Sequence, residues 1–99
     1  MDLPRQLKNA LGSGNLIFGQ RQTIGACDNG ETKLVLLSAN CPPEYVSELQ
    51  SAHPDLPLHR VNLVNRELGA ACAKPFSISV IGVVDAGNSE LLLLRPNLD

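Results

Sequence analysis

Aromatic side chains are scarce in this chain. Of its 99 residues only Phe18, Tyr45 and Phe76 are aromatic, and tryptophan is absent. Because 43% of the residues are nevertheless hydrophobic, the composition is that of a globular protein and not of a disordered chain. The core is therefore expected to consist of Leu, Val, Ile and Ala. A chain of this length has room for one core, so we expect residues 1–99 to form a single domain.

Cysteines are few, and no two of them form a C-x-x-C pair. Cys27, Cys41 and Cys72 are odd in number and widely spaced along the chain. This pattern argues against a disulfide framework and against a zinc site. We expect reduced, partly buried thiols that behave as small hydrophobic side chains, and neither a metal nor another cofactor.

The residue combinations typical of enzymes are also missing. The sequence has no glycine-rich phosphate loop, no acid pair and no nucleophile placed beside a base. His53 lies in a proline-containing loop and His59 near a short strand, so neither is placed next to a thiol. Asp85 precedes a glycine turn, for which a turn role is the simpler interpretation. The sequence therefore predicts a binding protein and not an enzyme.

Long apolar runs and a recognisable N-terminal signal are absent as well. No stretch approaches the roughly 18 apolar residues of a membrane span. Residues 1–5 lack the basic segment and apolar stretch of a secretory signal. We expect a cytoplasmic protein without a membrane partner.

An excess of positive charge is the last feature that the chain lacks. Eight basic and ten acidic residues give a net charge of −2, whereas nonspecific attraction to polyphosphate normally needs a basic surface. A nucleic-acid binder would have to segregate its charges. We therefore expect Arg21, Lys33 and Lys74 to converge on one end of the fold. The acidic residues expected to face elsewhere are Glu44, Glu48, Asp55 and Glu90.

Hydrophobic periodicity predicts alternating helices and strands. Helices are predicted over 4–12, over 19–28, from Pro42-Pro43 to the break at 53–55, and after a capping Asn65; strands are predicted over 15–18, 34–39, 58–63, 78–84 and, as an antiparallel return strand, 91–94. Residues 34–39 are apolar on both faces, which is typical of a central strand between two helical layers. The fold class is thus α/β, a three-layer α/β/α sandwich around one mixed β-sheet. The tail, residues 95–99, is expected to fray.

Two polar segments, each directly after a predicted strand, are the most informative feature of the sequence. Residues 19–23 follow the strand at 15–18, and residues 40–43 follow the strand at 34–39. Strand-to-helix turns of this kind place unpaired backbone N–H groups and polar side chains at one edge of a sheet. Such an edge suits the binding of phosphates and bases.

Four short motifs occur in the order and at the spacing of a known family. They are Gly19-x-Arg21-Gln22-Thr23, Lys33-Leu34-Val35-x-Leu37-x-x-Asn40-Cys41-Pro42, Glu67-Leu68-Gly69-x-Ala71-Cys72-x-Lys74 and Val84-Asp85-x-Gly87-x-Ser89. With them the chain resembles the archaeal and eukaryotic large-subunit ribosomal protein family L thirty-e over roughly residues 5 to 94. That family belongs to the superfamily of kink-turn RNA-binding proteins, which includes ribosomal protein L seven-Ae. The short ends resemble archaeal members more than eukaryotic ones.

The resemblance implies a structural constituent of the large ribosomal subunit that binds a kink-turn, an RNA stem bent sharply at an internal loop. In this family three loops meet the RNA on one edge of the sheet. The implied RNA-binding residues are Gly19, Gln20, Arg21, Gln22, Thr23, Asn40, Lys74, Pro75 and Phe76. The implied partners are ribosomal RNA and neighbouring large-subunit ribosomal proteins, with a monomer when the protein is free.

The chemistry of these residue types agrees with that assignment. A glycine lets the backbone approach a phosphate, and the amides of Gln20 and Asn40 can read base edges exposed at an open internal loop. Arg21 can bind phosphate or stack on a base, and Lys74 offers a point charge. Pro75 and Phe76 can supply an apolar surface for an extruded base.

Each of these residues also has a purely structural interpretation. Thr23 can be a packing residue, Asn40 a helix cap, Arg21 a solvated charge and Phe76 part of the core. The chain also departs from its relatives, because position 73 is Ala where Gly is frequent, and Gln20 with Arg21 replaces the Asn-Glu pair of the seven-Ae pattern. Two other functions stay open: a non-ribosomal kink-turn protein that serves a guide-RNA particle or its own message, and a protein-interaction module on the same fold.

Overall fold

Helices and strands alternate along residues 1–98, the part of the chain that the computed structural model describes. The order is α1 (Leu3–Ser13), β1 (Asn15–Phe18), α2 (Gln20–Asp28), β2 (Leu34–Leu37), α3 (Pro43–Ala52), β3 (Leu58–Arg60), α4 (Asn65–Ala71) and β4 (Val80–Asp85), followed by a 3₁₀ turn (Leu91–Leu93). The first helix begins where Asp2 accepts a hydrogen bond from the Arg5 N–H and Pro4 occupies the first turn.

The four strands form one mixed sheet in the order β1-β4-β2-β3. Strand β4 runs antiparallel to both of its neighbours, and β2 runs parallel to β3. Phe18 is paired with Ile81, and Leu37 with Val80. The last residues of β1 and β2 therefore lie next to the beginning of β4, at the same end of the sheet.

Helices cover both faces of the sheet, so the predicted three-layer sandwich is confirmed. Helices α1 and α4 and the 3₁₀ turn pack on one face, around buried side chains such as Leu7, Leu36 and Leu68. Helices α2 and α3 pack on the other face with Val35 and Leu49. All four residues of β2 are buried, as its apolar run predicts for a central strand.

The predicted return strand at 91–94 is wrong. Strand β4 already has β1 on one side and β2 on the other, so no hydrogen-bonding edge is left beside it. Residues 91–93 instead form a 3₁₀ turn that buries Leu91 completely and leaves Leu92 and Leu93 exposed. The predicted strand over 58–63 is also shorter than expected, ending at Arg60.

The tail does not fray in the part that the structure describes. Asn97 binds the outer edge of β3 through its backbone N–H and its side-chain amide. The carbonyl oxygen of Arg95 lies 2.6 Å from Nδ1 of His59. Asp99, the last residue of the predicted fraying segment, lies outside the described residues.

The three cysteines are buried free thiols, as predicted. Burial raises the pKa of Cys72 to about 11, although the nearby Lys74 ammonium acts in the opposite direction. Burial likewise raises the pKa of Cys41 above 9.0, partly offset by Arg60. Both groups are therefore neutral at physiological pH.

Neither a membrane-spanning helix nor a cluster of metal ligands occurs in residues 1–98. None of their helices is both long and apolar enough to cross a membrane. No three His, Cys, Asp or Glu side chains in this range come together in a way that would hold a metal ion.

Candidate nucleic-acid interface

Three connections meet at the end of the sheet where β1 and β2 finish and β4 begins. They are the β1–α2 junction at Gly19, the β2–α3 loop (38–42) and the α4–β4 loop (72–79), and together we call them the loop edge. The Gly19 N–H donates to the Val80 carbonyl at 2.9 Å, and the Ser38 N–H donates to the Ser79 carbonyl at 2.9 Å. The segments that hold the predicted RNA-binding residues are thus brought together by the sheet itself.

Asn40 joins the second loop to helix α4. Its Oδ1 accepts a hydrogen bond from the Asn65 N–H at 2.8 Å, and its Nδ2 donates to Asn65 Oδ1 at 3.2 Å. The Asn65 N–H is a first-turn donor of α4 that has no partner within its own helix. Asn40 therefore caps α4, which follows it by 25 residues, and not α3, the helix that the structural interpretation assigned to it.

Gly19 sets the direction in which α2 leaves the sheet. Its φ of +96° lies in a region that only glycine adopts without strain, and a Cβ at this position would lie 2.9 Å from Oε1 of Gln22. The first intrahelical bond of α2 runs from the Thr23 N–H to the Gly19 carbonyl. The N–H groups of the three preceding residues therefore lack intrahelical acceptors and lie at the loop edge.

The Gln20 side chain is held by α3. Its Nε2 donates to the Tyr45 carbonyl at 3.1 Å and to Glu48 Oε1 at 2.9 Å. Its Oε1 is buried and has no hydrogen-bond partner among the described residues. In this arrangement the Gln20 amide ties α2 to α3, and it can read a base only if these two hydrogen bonds open.

Thr23 is completely buried, so the prediction that its side chain contacts RNA is wrong. Its side chain lies between α2 and the sheet, against Gly82 in β4. No part of its side chain reaches the surface, which agrees with the packing interpretation. Arg21 and Gln22 are exposed on the opposite side of the same turn.

The α4–β4 loop lies directly on helix α4. A Cβ at Gly69 would overlap the Phe76 carbonyl oxygen, so glycine permits this close approach. Ala73 adopts a φ of +58°, a left-handed conformation that costs a residue with a Cβ about 1 kcal/mol. Lys74 is half-buried, with its ammonium nitrogen 4.9 Å from the centre of the Phe18 ring.

A groove of about 400 Å³ runs between the first and third connections of the loop edge. Its wall includes Gly19, Gln20, Gln22, Phe76 and Tyr45. Phe76 is 56% exposed, which excludes a core role for it, and Pro75 beside it is exposed as well. The groove thus offers an exposed aromatic ring close to polar groups of the α2 turn.

Tyr45 was missed as a candidate contact. Helical spacing placed it on the inner stripe of α3, but it is 38% exposed and lines the groove. The available signal was its position in the first turn of a helix that begins at the loop edge. A first-turn residue projects toward the end of its helix more than toward the sheet below.

The charge distribution differs from the prediction in two respects. Lys33 precedes β2, and its N–H donates to the Val83 carbonyl, so it lies at the opposite end of the sheet. Glu48 faces the loop edge through Gln20, and Glu44 lies in the first turn of α3 beside it. The predicted separation of acidic from basic residues is therefore wrong for these three side chains.

Arginines that the sequence did not single out contribute to the same end of the molecule. Arg60 Nη1 donates to the Ala39 carbonyl at 3.3 Å, and Arg66 is exposed in the first turn of α4. With Arg21 and Lys74 they form a set of four basic side chains around the loop edge. Three carboxylates, those of Glu44, Glu48 and Glu67, share this end. Glu48 accepts a hydrogen bond from Gln20, and Glu67 accepts one from the Val64 N–H.

The sequence of the chain matches a known family over most of its length. The family model described as Ribosomal protein L7Ae/L30e/S12e/Gadd45 family matches residues 1–93. The chain is 32% identical to a large ribosomal subunit protein eL30 of Methanosphaerula palustris over 96% of its own length and 98% of that protein. It is 42% identical to the eL30 of Neurospora crassa over 81% of its length and 75% of the relative. The chain therefore belongs to the L7Ae/L30e/S12e/Gadd45 family, as its motifs predicted.

A solved structure gives the same architecture. A protein of unknown function from Bacillus halodurans C superimposes with a TM-score of 0.68 at 29% sequence identity. The match covers 92% of this chain and 86% of the other.

Proposed function

We propose that this protein is a structural constituent of the large ribosomal subunit, where its loop edge binds a kink-turn in ribosomal RNA. The observation that carries the proposal is the convergence of three loops at one end of the sheet, in a chain that aligns with eL30 proteins over nearly its whole length. Those relatives are named as ribosomal proteins and not as enzymes. Binding to the ribosome would place the protein in the cytoplasm.

The recognition mechanism follows from what each segment offers. The free N–H groups at the start of α2 and the guanidinium of Arg21 suit a phosphate at the kink. Phe76 and Pro75 provide an exposed apolar surface on which an unstacked base can lie. Asn40 is fixed by Asn65, so its position is set before RNA arrives, which lowers the entropic cost of binding.

Charge makes a smaller contribution here than in strongly basic RNA-binding proteins. Each phosphate neutralised by a cation adds about 0.7–0.9 to the slope of log affinity against log salt concentration. With four basic side chains and three carboxylates at the loop edge, we expect a slope no steeper than about −4. Shape and base contacts therefore have to supply most of the discrimination between bent and straight RNA.

The direct test compares two RNA stems that differ only in their internal loop. The protein is titrated with a kink-turn stem and with the same stem made fully paired. We expect tighter binding to the kink-turn, with the bent form of the RNA stabilised by population shift. Equal affinity for both stems would contradict the proposal.

A matched pair of variants locates the binding surface. Arg21→Ala removes an exposed cation of the loop edge and is expected to weaken kink-turn binding by about 1–3 kcal/mol with little effect on folding. Lys33→Ala removes a cation at the opposite end of the sheet and is expected to leave the affinity unchanged. An equal loss in both variants would show that the attraction is general and that the loop edge has no special role.

The mixed charge of the loop edge favours one second candidate, a protein-interaction module on this fold. Lys33 lies at the opposite end of the sheet from the four basic side chains of the loop edge, and Glu44 and Glu48 lie at the loop edge itself. This candidate predicts that neither stem binds at micromolar concentration. Cosedimentation with ribosomes at high salt separates a ribosomal protein from a kink-turn protein of another particle.

A further inference from the structure

Two neighbouring leucines are exposed after the last strand. Leu92 is 47% exposed and Leu93 is 69% exposed, whereas Leu91 before them is completely buried. The 3₁₀ turn that contains them is closed by two backbone bonds. The Leu93 N–H donates to the Glu90 carbonyl at 3.0 Å, and the Leu94 N–H donates to the Leu91 carbonyl at 3.1 Å. Leu91 therefore fixes the turn in the core, and the turn keeps the two leucines at the surface.

These leucines line an open groove of about 340 Å³, which we call the leucine groove (Lys33, Leu34, Pro57 and residues 92–96). Leu34 begins β2 and Pro57 directly precedes β3. Because the loop edge lies where β2 ends, the leucine groove is at the opposite end of the sheet. Its tail residues are held by the Arg95 carbonyl, which lies 2.6 Å from Nδ1 of His59. The groove is thus already formed in the isolated chain.

The charged side chains that line the leucine groove are both cations. Lys33 and Arg95 lie in its lining and are exposed. No carboxylate among residues 1–98 lines it. Asp55 lines a neighbouring depression that shares Pro57 and Pro96 with the groove. Since the whole chain has a net charge of −2, the positive charge of this groove is a local property and not a reflection of the composition.

Apolar lining and positive charge together define the chemistry of an occupant. Leucine has no ring on which a base can stack, so the groove lacks the feature that favours single-stranded RNA. A second copy of this chain that presented the same face would bring Lys33 and Arg95 against their own equivalents, and like charges across an interface disfavour binding. A complementary segment has an apolar side chain for the leucines and carboxylates for the two cations.

We propose that the leucine groove is a docking site for an acidic segment of another protein, in which apolar side chains are flanked by carboxylates. Exposed apolar patches with a polar rim mark sites of interaction with other proteins. The groove and the loop edge lie at opposite ends of the sheet, so the two sites are available at the same time. The proposal goes beyond RNA binding, and its test contains no RNA.

The experiment titrates the full-length protein with blocked tetrapeptides and follows backbone amides by NMR. The probe is Asp-Leu-Leu-Glu, and its controls are Lys-Leu-Leu-Lys, which reverses the charge, and Asp-Ser-Ser-Glu, which lacks the apolar side chains. We expect saturable shifts of the Lys33, Leu92 and Leu93 amides with the probe, with a Kd of about 1 mM. Both control peptides should bind at least about fivefold more weakly.

Variants of exposed residues locate the contact without disturbing the core. Leu93→Ser should weaken binding of the probe at least about fivefold, because it removes the more exposed of the two leucines. Leu11→Ser alters a leucine of α1 that is 37% exposed and lies outside the groove, so the affinity should not change. The double variant Lys33→Glu with Arg95→Glu should prefer Lys-Leu-Leu-Lys to the probe.

Four results would overturn the proposal. The first is the absence of saturable shifts with about 10 mM probe, and the second is an equal response to all three peptides. The third is equal binding of Asp-Ser-Ser-Glu and the probe, which would identify a site for anions alone. The fourth is a set of shifts at Leu92 and Leu93 that depends on protein concentration and not on peptide, which would identify a second copy of this chain as the occupant.

Discussion

Replacing Asn40 tests the structural role of the loop edge separately from its proposed role in RNA recognition. Asn40→Ala removes the acceptor that satisfies the first-turn N–H of Asn65 and the donor to its side chain. Losing a capping acceptor costs about 1 kcal/mol, and losing a partly exposed hydrogen bond costs about 0.5–1 kcal/mol. We therefore expect the free energy of unfolding to fall by about 1–2 kcal/mol, which in a domain of this size lowers Tm by roughly 5–15 °C.

Asn40→Asp provides the matched comparison. A carboxylate retains the acceptor for the Asn65 N–H, and the Asn65 amide can turn its donor toward the new oxygen. Negative charge near the start of α4 is also favoured by the helix dipole. We expect Tm to stay within about 2 °C of the original value. Affinity for a kink-turn stem should nevertheless fall at least about tenfold, because the new charge faces RNA phosphates.

The assay combines thermal unfolding followed by circular dichroism with RNA titration of the same samples. The reasoning is refuted if Asn40→Ala shifts Tm by less than about 2 °C, since Asn40 would then not cap α4 in solution. It is refuted equally if Asn40→Asp is as unstable as Asn40→Ala.

Three other perturbations test neighbouring features. Gly69→Ala places a methyl group against the Phe76 carbonyl, so we expect the free energy of unfolding in urea to fall by about 2 kcal/mol. RNA binding should also weaken, because the α4–β4 loop has to move. An unchanged free energy of unfolding and an unchanged affinity would contradict this expectation. Ala73→Gly relieves a left-handed conformation and should raise stability by about 0.5–1 kcal/mol in the same assay, whereas a decrease would argue against that conformation. Because the pKa of Cys72 is raised from 9.0 to about 11, folding keeps its proton bound where the unfolded chain releases it. The contribution of the neutral thiol to the free energy of unfolding should therefore be fully present below pH 9 and should fall by about 2–3 kcal/mol between pH 9 and 11. Urea titrations at these pH values measure the loss, which should be smaller in Cys72→Ala.

Local sequence signals sufficed for most of the fold. A proline marks the start of α1 and of α3, and four consecutive apolar residues mark β2. These signals depend only on neighbouring residues, so they can be recognised without a structure. The return strand failed because its prediction depended on which neighbours β4 has. The same leucines can form a strand or a turn, and the pairing of β4 on both sides decides between them.

The candidate site shows the same division between local and distant causes. The sequence identified the segments that meet at the loop edge, because each follows the end of a strand. It did not reveal that Gln20 is bonded to α3, that Thr23 lies against Gly82 or that Asn40 caps α4. Each of these contacts joins residues at least 20 positions apart, and amide and hydroxyl side chains carry no local pattern that indicates their distant partner.

The hydrogen bonds of the loop edge also explain how a weakly charged protein can present a binding surface. Asn40 is fixed by Asn65, Gln20 by Tyr45 and Glu48, and the backbone of Gly19 by Val80. A strongly basic protein can attract RNA first and adjust its loops afterwards, because its affinity depends on charge more than on geometry. With carboxylates beside its cations, this chain has less of that attraction, and a preformed shape is the alternative source of affinity. The same polar residues that hold the loops together are therefore those whose loss should disturb recognition, even where they never touch the RNA.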